Sequence, residues 1–235
     1  MELLLLSNST SDDGYLVHAL EAIRELADGR QDALFVPFAG VTRDWDDYTA
    51  QVRDALAPIG ISVRGLHREA DARAAVGSAS LVIVGGGNTF RLLKCLREQQ
   101  LLAPLAERLR AGGGPEGLRY VGWSAGSVIT SPTIRTTNDM PIVDPGGLDS
   151  LGLMPFQFNC HYFNLVVPGF RGETRDQRLA EFTVLSPEMP VLGLPEGDWV
   201  RVSGTGWTLH GEHAARWFLG ERTTEIAAGA LEMPR

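Results

Sequence analysis

Cysteine is scarce in this chain: there are two in 235 residues, Cys95 and Cys160, with neither CxxC nor zinc spacing. That excludes a disulfide framework and a thiolate metal site, and so few thiols fit a reduced, cytoplasmic setting. Long apolar runs are missing as well. No stretch approaches the roughly 20 apolar residues that span a bilayer, so no membrane is expected. The start, MELLLLSNST, carries only four leucines behind an acidic Glu2, whereas a secretory signal needs a basic start and a longer apolar core. Positive charge is in deficit: 21 Lys and Arg face 29 Asp and Glu, for a net charge of −8. Nucleic acid usually calls for a clustered basic face, so it is not an expected partner. An anionic ligand, repelled by the overall field, would need a local arginine.

What is present is enough apolar material for a core. Hydrophobic residues make up 44% of the chain, and a chain of this size buries about 70–75% of its unfolded surface without a staple. One domain over residues 1–235 is expected. Leu3–Leu6, Ala33–Val36, Ile61–Leu66, Leu81–Val84 and Tyr120–Gly122 read as strands buried on both faces, because they lack polar alternation. Between them Leu16, Ala19, Leu20, Ile23 and Leu26 recur at helical spacing, as do Trp45, Tyr48, Val52 and Leu56, and Leu92, Leu93, Leu96 and Leu101. The alternation implies a mostly parallel sheet with helices on both faces, three layers in all. After Asp198, short pieces at Trp199–Val202, Trp207–His210 and Trp217–Leu219 predict an antiparallel β extension at one edge. The glycine-rich stretch Ala111–Gly117 reads as a loop.

Ligands of such sheets collect at the carboxyl ends of the strands, and two glycine-dense loops fall there. Gly85-Gly86-Gly87-Asn88 is not a dinucleotide fingerprint, and no cofactor or metal is expected. Gly122-Trp123-Ser124-Ala125-Gly126 matches a nucleophile elbow, in which a serine sits on a tight strand-to-helix turn. The bland alternative for Ser124 is a helix N-cap. A reactive serine needs a base and an orienting acid. Of five histidines, His161 alone ends a strand-like run, FQFNCH, downstream of the elbow. The candidate acids are Asp139 and Glu196.

The segments VGGGNTF, GWSAG, PTIRTTNDMPIVDP, GETRDQR and GLPEG, with LLLLSNST and PFAGVT, closely resemble the peptidase E family, bacterial α-aspartyl dipeptidases related to cyanophycinase. The resemblance covers most of the chain. It implies a fold like that of class I glutamine amidotransferases, a serine where those carry cysteine, and a homodimer. Carried across, it makes Ser124 the nucleophile, His161 the general base and Asp139 the orienting acid, with Glu196 the rival for that last role. The implied reaction is hydrolysis of Asp-X peptides through an acyl-enzyme, with the backbone N–H groups of Gly87 and Ala125 as oxyanion donors. Arg175 is the residue to hold the substrate's aspartate, with Arg135 and Arg171 as nearby alternatives. Asn88 is expected to orient substrate polar groups, and Glu196 to accept the free amine if Asp139 holds the histidine. Cys160 reads as a packing residue. Two rivals stand beside this reading: a serine hydrolase of other specificity (β-aspartyl, cyanophycinase-like or carboxypeptidase), and a non-catalytic metabolite sensor.

Overall fold

The structure, a computed structural model, describes residues 1–112, 117–165, 169 and 171–230; the loop expected at 111–117 lies largely outside the described residues. In chain order the strands are β1 (Glu2–Leu6), β2 (Thr10–Ser11), β3 (Gly14–Tyr15), β4 (Asp32–Val36), β5 (Ser62–Gly65), β6 (Leu81–Val84), β7 (Arg119–Trp123), β8 (Gln157–Asn159), β9 (Val191–Gly193), β10 (Trp199–Ser203), β11 (Gly206–His210), β12 (Ala215–Leu219), β13 (Arg222–Ile226) and β14 (Gly229–Ala230). The helices are α1 (Leu20–Ala27), α2 (Trp45–Leu56), α3 (Ala72–Ser78), α4 (Thr89–Glu98), α5 (Leu102–Ala111), α6 (Ala125–Val128) and α7 (Arg175–Leu185).

The main sheet has eight strands in the order β14-β11-β10-β1-β7-β6-β4-β5. From β1 to β5 the pairings are parallel, and from β1 outward through β10 they are antiparallel. The apolar runs behave as two-faced strands. Leu3, Leu5, Val82, Val84 and Tyr120 enter one core with α3, α4 and α5, whereas Leu4, Leu6, Leu81, Ile83 and Val121 enter the other with α1 and α2. Successive residues of a strand point to opposite faces, so an uninterrupted apolar run is what a sheet covered on both sides demands. All four leucines of β1 are fully buried, and each such side chain contributes about 1.5–3 kcal/mol.

The C-terminal β pieces do not form one edge extension. Trp199–Ser203 and Gly206–His210 join the main sheet, but Ala215–Leu219 enters a separate four-stranded sheet of order β13-β12-β9-β8. That second sheet was not foreseen. In it β8 and β9 run parallel, with Asn159 opposite Gly193. The helical stretch from Phe90 to Leu102 is also two helices: Gln100, at φ 55°, breaks the run between α4 and α5.

Candidate active site

The strand β7 leads straight into Ser124, whose backbone stands at φ 51°, ψ −113°, a conformation that L-residues rarely adopt. The bend is tight enough to fix its flanking glycines. A Cβ at Gly122 would lie 2.5 Å from the Gly126 carbonyl oxygen, and one at Gly126 would lie 2.1 Å from that of Val84. The Ser124 N–H donates to Leu6 O at 3.1 Å. Ser127, one turn on, sets its hydroxyl 2.7 Å from Leu6 O and 3.0 Å from Gly122 O, fastening the start of α6 to β1 and β7. The Ser124 side chain makes no cap on the helix, so the N-cap alternative fails.

His161 follows β8 and takes the left-handed backbone φ 54°. Its N–H donates to Ser7 Oγ at 2.8 Å, and the Ser7 hydroxyl donates to Leu194 O at 2.8 Å. Ser7 is fully buried beyond the end of β1, so this one hydroxyl joins the carboxyl ends of β1, β8 and β9. The imidazole Nε2 then lies 2.9 Å from Ser124 Oγ, and Nδ1 lies 2.6 Å from Glu196 Oε1. A carboxylate accepts only, so Nδ1 carries the proton and Nε2 of the neutral ring is left to accept from the serine hydroxyl. The pair is not buried: the side chains of His161 and Glu196 are 39% and 63% exposed.

The carboxylate behind the imidazole is therefore Glu196, and the expectation for Asp139 is corrected. Asp139 Oδ2 accepts the Thr89 N–H at 2.7 Å and the hydroxyls of Thr89 and Thr137. It caps the first turn of α4: the chain at Asn138 does reach Cys160 O, but the Asp139 carboxylate turns to Thr89 and Thr137 rather than to the imidazole. Glu196 as an acceptor for the substrate amine is corrected with it, since its carboxylate is on the histidine. Asn88 is also otherwise engaged. Its Oδ1 caps α4 by accepting the Arg91 N–H at 3.0 Å, and its Nδ2 donates to Met140 O at 2.8 Å.

Gly87 stands at φ 133°, and a Cβ there would meet Ala39 O at 2.3 Å. A Cβ at Gly86 would lie 3.1 Å from Ser124 Cβ, so the triple-glycine loop runs directly against the serine. Among the described residues, neither the Gly87 nor the Ala125 N–H donates to a protein acceptor. Ser124, His161, Gly86, Gly87, Asn88 and Tyr48 line one cavity of about 640 Å³, within the size range of small-ligand sites.

Arg175 is the first residue of α7, just inside a Thr174–Gln177 capping box. Its Nη1 donates to Asn159 Oδ1 at 3.2 Å and its guanidinium lies 5.3 Å from the Phe163 ring centroid. It does not line the cavity around Ser124; it sits beside the strand that delivers His161. Of the alternatives, Arg135 covers the Phe182 ring at 4.8 Å, and Arg171 is exposed. Cys160 is buried, with Sγ 3.7 Å from Ser124 O, and burial pushes its thiol pKa up. Among the described residues no group of three or more His, Cys, Asp or Glu is placed to hold a metal ion, and no helix is long and apolar enough to cross a membrane.

The sheet and the Ser–His–Glu geometry at its carboxyl edge describe a hydrolase of the serine type. The sequence pattern of peptidase family S51 matches residues 3–210. Peptidase E from Salmonella paratyphi A and from Citrobacter koseri are each 52% identical over 231 residues, covering 97% of this chain and 99% of theirs. Among solved structures, one from Listeria monocytogenes EGD-e assigned to peptidase E superposes with TM-score 0.65 at 22% identity, over 90% of this chain and 98% of that one. A peptidase from an acI-B1 actinobacterium gives 0.63 at 14%, over 96% of each. The chain belongs to peptidase family S51 and is a peptidase.

Proposed function

We propose that the chain is a serine dipeptidase that releases N-terminal aspartate from Asp-X peptides, with Ser124 as nucleophile, His161 as general base and Glu196 as the acid that orients the imidazole. The observation that carries this is the contact of Ser124 Oγ with His161 Nε2 at 2.9 Å while Glu196 holds Nδ1 at 2.6 Å. In the first half-reaction Ser124 Oγ attacks the aspartyl carbonyl carbon and its proton passes to Nε2. The negative charge on the carbonyl oxygen is met by the N–H groups of Gly87 and Ala125, which have no other acceptor among the described residues; one such donor is worth about 3–4 kcal/mol in the transition state. The C–N bond then breaks, the imidazolium returns its proton to the leaving amine, and an aspartyl ester remains on Ser124. Water, deprotonated by His161, attacks the ester and frees aspartate.

For the aspartate side chain we keep Arg175. Among the described residues it pairs with no carboxylate, only with the neutral Asn159 amide and the Phe163 ring. Burial and then repulsion from Arg178 push its pKa down, the situation of a cation that gains from an incoming anion. A guanidinium offers a carboxylate two parallel hydrogen bonds. The family resemblance supports a homodimer, checked by a solution mass of twice 25.5 kDa, and the free thiols Cys95 and Cys160 fit a reduced compartment.

Hydrolysis of aspartyl-p-nitroanilide tests the reading. Ser124→Ala is expected to abolish it with the fold intact, and fluorophosphonate is expected to label the wild type stoichiometrically and this variant not at all. Labelling that persists in Ser124→Ala places the nucleophile elsewhere.

A further inference from the structure

Tyr48 has no part in the reaction as written, yet its hydroxyl is the side-chain group that touches the triple-glycine loop at its middle. It projects from α2 into the inner core and is 5% exposed. Its Oη lies 3.1 Å from Trp123 Nε1 and 3.0 Å from Gly86 O. The direction of both bonds follows from chemistry alone. An indole N–H only donates and a carbonyl only accepts, so Tyr48 accepts from Trp123 and spends its single proton on Gly86. Burial pushes the phenol pKa up, which keeps that proton in place. The ring itself is held by an edge-to-face contact with Phe35 at 4.9 Å.

Gly86 O belongs to the same peptide unit as the Gly87 N–H, and in a trans peptide the two point in opposite directions. The neighbouring anchors of the loop are Gly85 N–H to Val36 O at 3.2 Å and Asn88 N–H to Ala39 O at 2.8 Å. Neither bonds to the 86–87 peptide itself, which lies between two glycines whose torsions carry no Cβ penalty. We propose that Tyr48 is a positioning residue for the oxyanion hole: by holding Gly86 O it locks the 86–87 peptide so that the Gly87 N–H faces the developing oxyanion. This rests on the reading of Gly87 as an oxyanion donor. Trp123, adjacent to the nucleophile, supplies the second tie, so the two loops of the site are joined through one phenol oxygen.

Tyr48→Phe keeps the ring and removes the lock. Losing an oxyanion donor outright costs about 10²–10³ in kcat, so partial loss of its alignment is expected to lower kcat by about 10- to 100-fold, with KM within about twofold because ground-state binding is untouched. The rate of fluorophosphonate labelling of Ser124 is expected to fall by a similar factor, and a peptidyl aldehyde mimic of the tetrahedral state to bind correspondingly weaker. Replacing Tyr48 by 4-aminophenylalanine, which keeps a donor and an acceptor, is expected to recover most of the loss, and it serves as the test variant if the phenylalanine protein does not fold. A kcat within twofold of wild type in Tyr48→Phe, or a 4-aminophenylalanine variant with kcat lowered only in step with a higher KM, overturns the proposal. A wild type that neither labels nor hydrolyses removes the reading of the site itself, and the Tyr48 proposal with it; a labelled, active wild type with an unaffected Tyr48→Phe removes only the latter.

Discussion

Glu196→Gln separates the carboxylate that orients the histidine from the one that caps α4. The glutamine amide can present its N–H to Nδ1, which moves the imidazole proton to Nε2 and leaves that atom unable to accept from Ser124. In a fully buried triad this change costs about 10⁴ in kcat. Here the Glu196 side chain is 63% exposed, so water and a swing of the amide offset part of the loss. A fall of about 10- to 100-fold in kcat is expected, equivalent to about 1.4–2.7 kcal/mol of barrier. The melting temperature is expected to stay put, since even an exposed charged pair contributes only about 0–1 kcal/mol and here the imidazole is neutral. Asp139→Ala carries a different signature. It strands the Thr89 N–H, which Asp139 meets at 2.7 Å, and an unsatisfied buried donor costs about 1–3 kcal/mol. In a protein of this size each kcal/mol moves the melting temperature by about 2–4 °C, so this variant is expected to lose several degrees, with any fall in activity following from that loss. Aspartyl-p-nitroanilide kinetics and calorimetry on both variants decide the matter. Glu196→Gln with kcat within twofold of wild type would refute the assignment of the orienting acid.

Arg175→Ala is expected to cut turnover of Asp-X peptides far more than it lowers the melting temperature, with Asp-X discrimination against Ala-X reduced in parallel; undiminished discrimination would move specificity to another group. Cys160 is expected to resist iodoacetamide in the folded protein because burial raises its thiol pKa and closes access, and to react at once on unfolding. Mass spectrometry of native and denatured samples checks this.

The layers and the tight turn at Ser124 were readable from sequence for one reason: both rest on strictly local constraints. A strand buried on two faces must be apolar at every position, and β6 (Leu81–Val84) is; an elbow must have glycine where a Cβ would strike backbone, and Gly122 and Gly126 comply. The second sheet escaped because β8 and β9 are three residues each: FQFNCH reads as a strand-like run, but so short a segment does not show which strand it pairs with. The choice between Asp139 and Glu196 stayed open in the sequence for a related reason. Glu196 reaches His161 because β8 and β9 pair in parallel with Asn159 opposite Gly193, so His161 and Glu196 leave adjacent strand ends two and three residues later. Nothing in GLPEG announces that register, so the family resemblance alone weighed Asp139 against Glu196. The contacts of Ser7 and Tyr48 were likewise invisible, since a hydroxyl says nothing in sequence about which carbonyl it will meet.

Ser124 and His161 share one further property: both are side-chain-bearing residues held at φ near +50°, at 51° and 54°. Each such backbone costs about 1–3 kcal/mol that the surrounding structure must supply. Glycine would relax the main chain at either position while deleting the hydroxyl or the imidazole. On the proposed reading, selection for thermal robustness alone would thus erode this protein at two places its chemistry needs, and libraries screened only for heat tolerance are a poor route to a sturdier working form of it.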